Sequence, residues 1–226
     1  MRAKVSVLFM LAGILFATCL LISNILASKI MVIGQWAAPA GVLVFPLAYI
    51  LNDVIVEVWG FQKARLIIWA GFGVNVLAVS FFSLGMAVPA APFWQGQEAF
   101  SSVLGNTPRI VAASLLAYLV GSFLNAYVMS KFKVLTKGKG FSVRAIASTL
   151  IGEGADSLVF ISIAFAGLFP VQVIVGMIAT QALIKTVYEV AALPLTLWSV
   201  KQVKKLEGAD TFDYSVSYNP FRLKQI

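Results

Sequence analysis

From Val5 to Ser28 the chain runs without one charged residue, and apolar stretches of similar length recur almost to its end. About 20 mostly apolar residues cross the roughly 30 Å hydrocarbon layer of a membrane as a helix. Inside that layer a segment must satisfy its own backbone, which a helix does and an open chain does not. Six segments have the length: 5–26, 41–58, 66–88, 107–130, 143–168 and 170–200, followed by a tail at 201–226. The expected fold is an all-α integral membrane protein, a single transmembrane domain of six helices. The first segment is longer than a signal-peptide core and lacks a small-residue cleavage site, so it is kept as a span. Pro46 lies inside the second segment, where a proline is expected to kink the helix. Pro89 and Pro92 close the third, and Thr107-Pro108 reads as the cap and first residue of the fourth.

Composition removes most other classes. The chain is 60% hydrophobic and 12% charged, against roughly 25% charged in a soluble domain. Cys19 is the only cysteine and there is no histidine, which excludes Ser-His triads, HExxH metalloproteases, cysteine zinc sites and histidine proton relays. No cofactor and no metal are expected, and Cys19 reads as a small packing residue. With the N-terminus placed in the cytoplasm, fourteen of the seventeen basic residues fall on that side, and Lys29 and Arg109 alone lie near the outer face. Both termini are then cytoplasmic. The asymmetry accounts for the net charge of +8 through topology and anionic lipid rather than nucleic acid.

Charges inside the spans carry the functional signal, because each costs about 2.5–3.5 kcal/mol at a helix centre and faces a cavity or a partner. Tyr49, Asp53 and Glu57 stand at i, i+4 and i+8 on one face of the second segment, with Asn52 beside them. Glu153 and Asp156 lie together on the fifth, where Gly152 and Gly154 permit close approach. Gln181, Lys185, Tyr188 and Glu189 form a polar stripe on the sixth. Lys185 either balances a carboxylate structurally or meets a solute, and Glu57 belongs either to the site or to the cytoplasmic interface. Asn24 and Ser28 either line the cavity or cap the first helix. The series Ala113, Ala117, Gly121 suits close packing inside the bundle or across a homodimer. SNILASK in one half and LNAYVMSK in the other suggest a 3+3 pseudo-repeat of inverted topology, or chance likeness among apolar helices.

Two classes of chemistry suit paired carboxylates in a dry cavity. An intramembrane aspartyl protease would need GxGD, and GEGAD places its Asp one residue late. A solute carrier uses a carboxylate to accept two parallel N–H bonds from a planar edge, as a guanine-type base offers. No Walker A motif occurs to power transport by that machinery.

SNILASK at 23–29, FPLAYILNDVIVEVWGFQKAR at 45–65, IGEGADSLVFISIAFAG at 151–167 and EGADTFDYSVSYNPF at 207–221 closely resemble the queuosine precursor transporter family, also called VUT. The resemblance covers nearly the whole chain. It implies a six-helix inner-membrane importer, not an enzyme, that takes up 7-cyano-7-deazaguanine and 7-aminomethyl-7-deazaguanine for queuosine salvage in tRNA. Asn24, Lys29, Asp53, Glu57, Glu153, Asp156 and Ser157 occupy motif positions. Some vitamin-uptake S-components share the six-helix plan, so another vitamin-like or nucleobase-like solute is the alternative. Chemistry then selects Asn24, Asp53, Glu153, Asp156, Gln181 and Tyr188 to bind solute. Lys29, Tyr49, Asn52, Glu57, Ser157, Lys185 and Glu189 support or gate. The remaining partner is the lipid bilayer.

Overall fold

The computed structural model describes residues 6–33, 36–105 and 108–222. The chain is helical, with helix α1 at Val7–Leu26, α2 at Phe45–Trp59, α3 at Phe61–Ala87, α4 at Gln97–Leu104, α5 at Pro108–Leu135, α6 at Phe141–Phe165 and α7 at Val171–Glu207. One antiparallel hairpin interrupts this plan, β1 (Ile30–Ile33) paired with β2 (Trp36–Pro39) in the register Ile30↔Pro39 to Ile33↔Trp36. Five helical segments among the described residues are long and apolar enough to cross a membrane: α1, α3, α4 with α5, α6 and α7.

The second expected segment is built differently. A 3-10 turn at Ala40–Leu43 precedes α2, whose 15 residues are too few to span alone. Pro46 sits in the first turn of α2, where its missing N–H has no helical partner to lose. It therefore starts the helix instead of kinking it. The other end of α2 turns straight into α3 through Gly60 alone, at φ 82°. A side chain there would be strained, and its Cβ would also lie 2.8 Å from Asp213 Oδ1. The cap expected at Thr107 lies outside the described residues. Helix α7 runs past residue 200, to Glu207, and stops at Gly208 in the left-handed conformation that commonly terminates helices.

Helices α5 and α6 pack most closely, and two glycines permit it. A Cβ on Gly152 would stand 2.8 Å from Asn125 Cβ, and one on Gly121 would stand 2.8 Å from Asp156 Cβ. Gly154, expected to do the same, faces open space. Ala113 and Ala117 are buried within the chain, so this small-residue series serves the bundle and is not available to a second copy. Cys19 is half-buried and packs beside Phe16, Leu20 and Ala48.

The two ends of the bundle differ in charge. The end formed by the C-termini of α2, α5 and α7 and the N-termini of α3 and α6 collects Arg65, Lys133, Arg144 and Lys204. At the opposite end Arg109 donates to the carbonyls of Ile163 and Ala166 at 2.6 and 2.5 Å, satisfying the last carbonyls of α6. Residues 208–222 fold back as a strap across the basic end. Asp213 accepts from Phe61 N–H at 2.9 Å and from the Ser130 hydroxyl at 2.5 Å. Arg65 donates to the carbonyls of Ser217 and Asn219 at 3.0 and 2.8 Å, and the Trp69 indole donates to Pro220 at 2.8 Å.

Candidate functional site

Inside the bundle, four helices bring polar side chains together. From α6, Glu153 and Asp156 both pair with Lys185 of α7, whose Nζ lies 2.8 Å from Glu153 Oε2. From α2, the Tyr49 hydroxyl reaches Glu153, and Asn52 Nδ2 donates to Asn125 Oδ1 of α5 at 2.9 Å. Asp53 adjoins Asn125 and Glu189, and Glu189 adjoins Thr149. Their spacing explains the convergence. Thr149, Glu153, Asp156 and Ser157 recur at three and four residues, one stripe of α6. Helix α7 buries only Glu189, Thr196 and Val200, so its contribution to the interior is mostly polar.

The hydrogen-bond census of this cluster is lopsided. Asn52 Oδ1, both Asp53 oxygens and Glu189 Oε1 are buried without a hydrogen bond, as are Asn125 Nδ2 and the hydroxyls of Thr149 and Ser157. Each such group costs about 1–3 kcal/mol when left unmade, and proteins keep few of them without a functional reason. Four of these atoms accept only, one donates only, and two hydroxyls do either. The cluster is therefore short of donors. Its unmet acceptors match a group rich in N–H donors.

Glu57 belongs elsewhere. Although it stands one helical turn from Asp53, its carboxylate receives Arg144 in a two-point contact at 2.6 and 3.1 Å and Lys204 at 2.7 Å. Lys133 donates to the Glu57 carbonyl at 2.5 Å, to the Thr211 carbonyl at 2.8 Å and to the Asp210 carboxylate. Lys204 also meets Asp210 at 2.8 Å. Burial alone would raise the Asp210 carboxyl, but the hydrogen bonds from Lys133 and Lys204 outweigh it and hold it below the usual aspartate value. This network joins four helices, α2, α5, α6 and α7, and the strap, and it closes the basic end.

Other expected site residues also separate from the cluster. Asn24 donates to Asn75 at 2.6 Å and lines a small cleft with Leu21, Phe82, Ser83 and Val111 at the opposite end. That open cleft is not where the carboxylates are; the cluster itself is closed. Lys29 is exposed beyond α1. Tyr188 is 39% exposed and points away from the neighbouring Glu189. Gln181 is half-buried one turn before Lys185. Sequence reasoning missed Asn125 and Thr149. The four-residue step from Thr149 to Glu153 was the available signal for one, and Asn125 in an apolar run was the signal for the other. Arg144 was counted as a topology signal only.

A family profile described as "Putative vitamin uptake transporter" matches residues 39–199. The chain belongs to that family. A protein of Bacillus subtilis (strain 168) named "Probable queuosine precursor transporter" is 27% identical over 184 residues, 80% of each chain. The "Queuosine precursor transporter" of Escherichia coli (strain K12) is 30% identical over 125 residues, 55% of this chain and 54% of that one. A "Probable queuosine precursor transporter" of Haemophilus influenzae is 33% identical over 125 residues, 55% of this chain and 51% of that one. No solved structure matches the chain significantly. The family match encloses the whole buried cluster, from Tyr49 to Glu189, together with Glu57 and Arg144. Asn24, Lys29 and the strap fall outside it.

Proposed function

We propose that this protein imports a queuosine precursor, a 7-deazaguanine bearing a cyano or aminomethyl group, through the cluster between α2, α6 and α7. The observation that carries this reading is the surplus of buried acceptors in a chain whose relatives are named for such transport. N1–H and the exocyclic amine of the base form a two-pronged donor edge that one carboxylate accepts. Glu153 or Asp156 takes that edge, Lys185 meets the ring carbonyl, and Asp53 stands opposite. Tyr49, Asn52, Ser157 and Gln181 orient the ring. Glu57 supports from the basic end, and Asn24 lies on the way in from the other end. The role is transport, not catalysis.

The arrangement in the membrane follows from the charge at the two ends. The basic end faces the cytoplasm with both termini, in the inner membrane. The 3-10 turn and α2 together act as a shortened second span, giving six. Facilitated diffusion with trapping inside the cell is the simplest energetics, and coupling to a cation gradient through a buried carboxylate is the alternative. A 3+3 repeat remains an arrangement this reading permits without needing it.

Expression in cells unable to make or import the precursor, with precursor supplied at low concentration, tests the function. Queuosine should reappear in tRNA; a well-expressed protein that fails to restore it rejects the reading. With purified protein, Glu153→Gln and Asp156→Asn should weaken precursor binding by about 2–5 kcal/mol, at least roughly twentyfold. Wild-type affinity in both variants would make these carboxylates structural. The family description favours one second reading, a vitamin-like solute, which rescue of vitamin uptake would support.

A further inference from the structure

Glu57, Glu153 and Asp156 each meet a lysine or arginine. Asp53 and Glu189 stand apart from that pattern. Asp53 has no exposed surface and Glu189 has 4%. Both Asp53 oxygens and Glu189 Oε1 lack a hydrogen bond, and neither carboxyl has an ion pair among the described residues. The two adjoin across the α2–α7 contact.

The charges facing them do not correct the balance. Helix α2 adds Tyr49 and, one turn on, Glu57, which Arg144 and Lys204 already hold. Helix α6 adds Glu153 and Asp156. Helix α7 adds Lys185, engaged by those two carboxylates. Helix α5 presents the neutral Asn125. Like charges close together in a poorly polarisable interior repel strongly, and an unpaired buried charge is costly. The repulsion is relieved when a positive charge, a proton or a small cation, sits between the pair's oxygens. Neutral atoms nearby point the same way, because Asn52 Oδ1, next to Asp53 in α2, and Thr149 Oγ1 of α6, beside Glu189, are buried oxygens without a hydrogen bond. No group of three or more His, Cys, Asp and Glu side chains able to hold a metal exists among the described residues. Two carboxyls amid neutral oxygens suit a single charge better than a divalent ion, which is held by more carboxylates or by waters.

We propose that Asp53 and Glu189 form a subsite for one monovalent cation that crosses with the solute, supplied free as Na+ or a proton or carried as an ammonium group on the solute itself. This rests on the transport reading above and assigns the remaining half of the same cluster.

The full chain, reconstituted in phosphatidylethanolamine and phosphatidylglycerol vesicles, separates the sources. Uptake of a neutral cyano-bearing and of an ammonium-bearing 7-deazaguanine is measured for the parent, Asp53→Asn and Glu189→Gln. Each is run with an inward Na+ gradient, an inward proton gradient, or neither. With a free cation, one gradient accelerates the neutral solute in the parent, and both variants lose that acceleration with at least a tenfold lower rate. With a solute ammonium, gradients have no effect and the tenfold loss is confined to the ammonium-bearing compound. In either case both variants should melt at or above the parent temperature, because an amide replaces one of two mutually repelling groups. Parent-like uptake of both solutes by both variants overturns the proposal. Equal loss of both solutes with no gradient effect in the parent, or a much lower melting temperature, makes the pair structural and overturns it too. A parent that carries neither solute rejects the transport reading instead. The subsite is then read from melting temperature alone, which must rise with NaCl, methylammonium chloride or acidification over choline chloride in the parent and not in Asp53→Asn; a flat response overturns it.

Discussion

Arg144 is the residue on which the basic end depends most directly. Its guanidinium makes a two-point contact with Glu57, and both side chains are 1% exposed. Breaking a buried pair from one side leaves the other charge uncompensated, at about 3–5 kcal/mol. Arg144→Ala should therefore lower the thermal unfolding temperature of the purified protein markedly, and Arg144→Lys should recover part of the loss. A variant as stable as the parent would mean that Lys204 and Lys133 suffice. The carboxylates of the candidate site were legible because a charge in an apolar run is expensive and must have a purpose. Their neutral neighbours were not, since Asn125 and Thr149 cost little in a helix and look like their many counterparts. Nor was Tyr188 separable from Glu189 by spacing. Adjacent helical residues differ by about 100°, and only the packing of α7 decided which one faces inward.

Among the helices, the α5–α6 pair makes the sharpest demand on sequence. Gly152→Ala would push a methyl group to 2.9 Å from the Gly121 carbonyl and 2.8 Å from Asn125 Cβ. Backbone stands on one side of that contact and cannot swing away, so overpacking of about 1–3 kcal/mol is expected. Gly154→Ala and Gly176→Ala meet nothing within 4 Å and should stabilise their helices slightly, by about 0.5–1 kcal/mol. Unfolding temperatures of the three variants check the contrast; equal effects would mean the helices slide apart freely. The small residues were visible in the sequence, but which of Gly152 and Gly154 faces α5 was not. Helix α2 was misjudged for a related reason. An apolar window registers Gly41 to Val58 as one segment, while the change from 3-10 turn to α-helix near Pro46 is set by local backbone geometry that hydropathy does not sense.

For the whole molecule, the strap is the feature that hydropathy could not reveal. The six apolar stretches, the basic asymmetry and the family motifs outlined the bundle. Residues 208–222 are polar and lack periodicity, so they read as a tail, whereas Arg65 of α3, Lys133 of α5 and Lys204 of α7 bind them to three helices. Asp210 titrates below an ordinary aspartate, so its contribution is present above the unfolded value and is lost as pH falls through the folded one. It is half exposed, which makes that contribution modest. Limited proteolysis should find the strap protected at neutral and mildly acidic pH and cleavable only in strong acid. Asp210→Asn should shift that onset upward, and cleavage at neutral pH in the parent would show that the strap is undocked.

The strap also gives biosynthesis an order. Residues 210–220 leave the ribosome after α1 to α7 have been made, and chains are built and assembled from the N-terminal side at about 5–20 residues per second. Until they arrive, Arg65 lacks the two carbonyls that receive it, and Lys133 keeps Glu57 but lacks Asp210 and Thr211. A translation product cut short by a late stop codon stays in that condition. It carries cations lodged in an unfinished bundle, the kind of defect by which membrane quality control recognises a protein for removal.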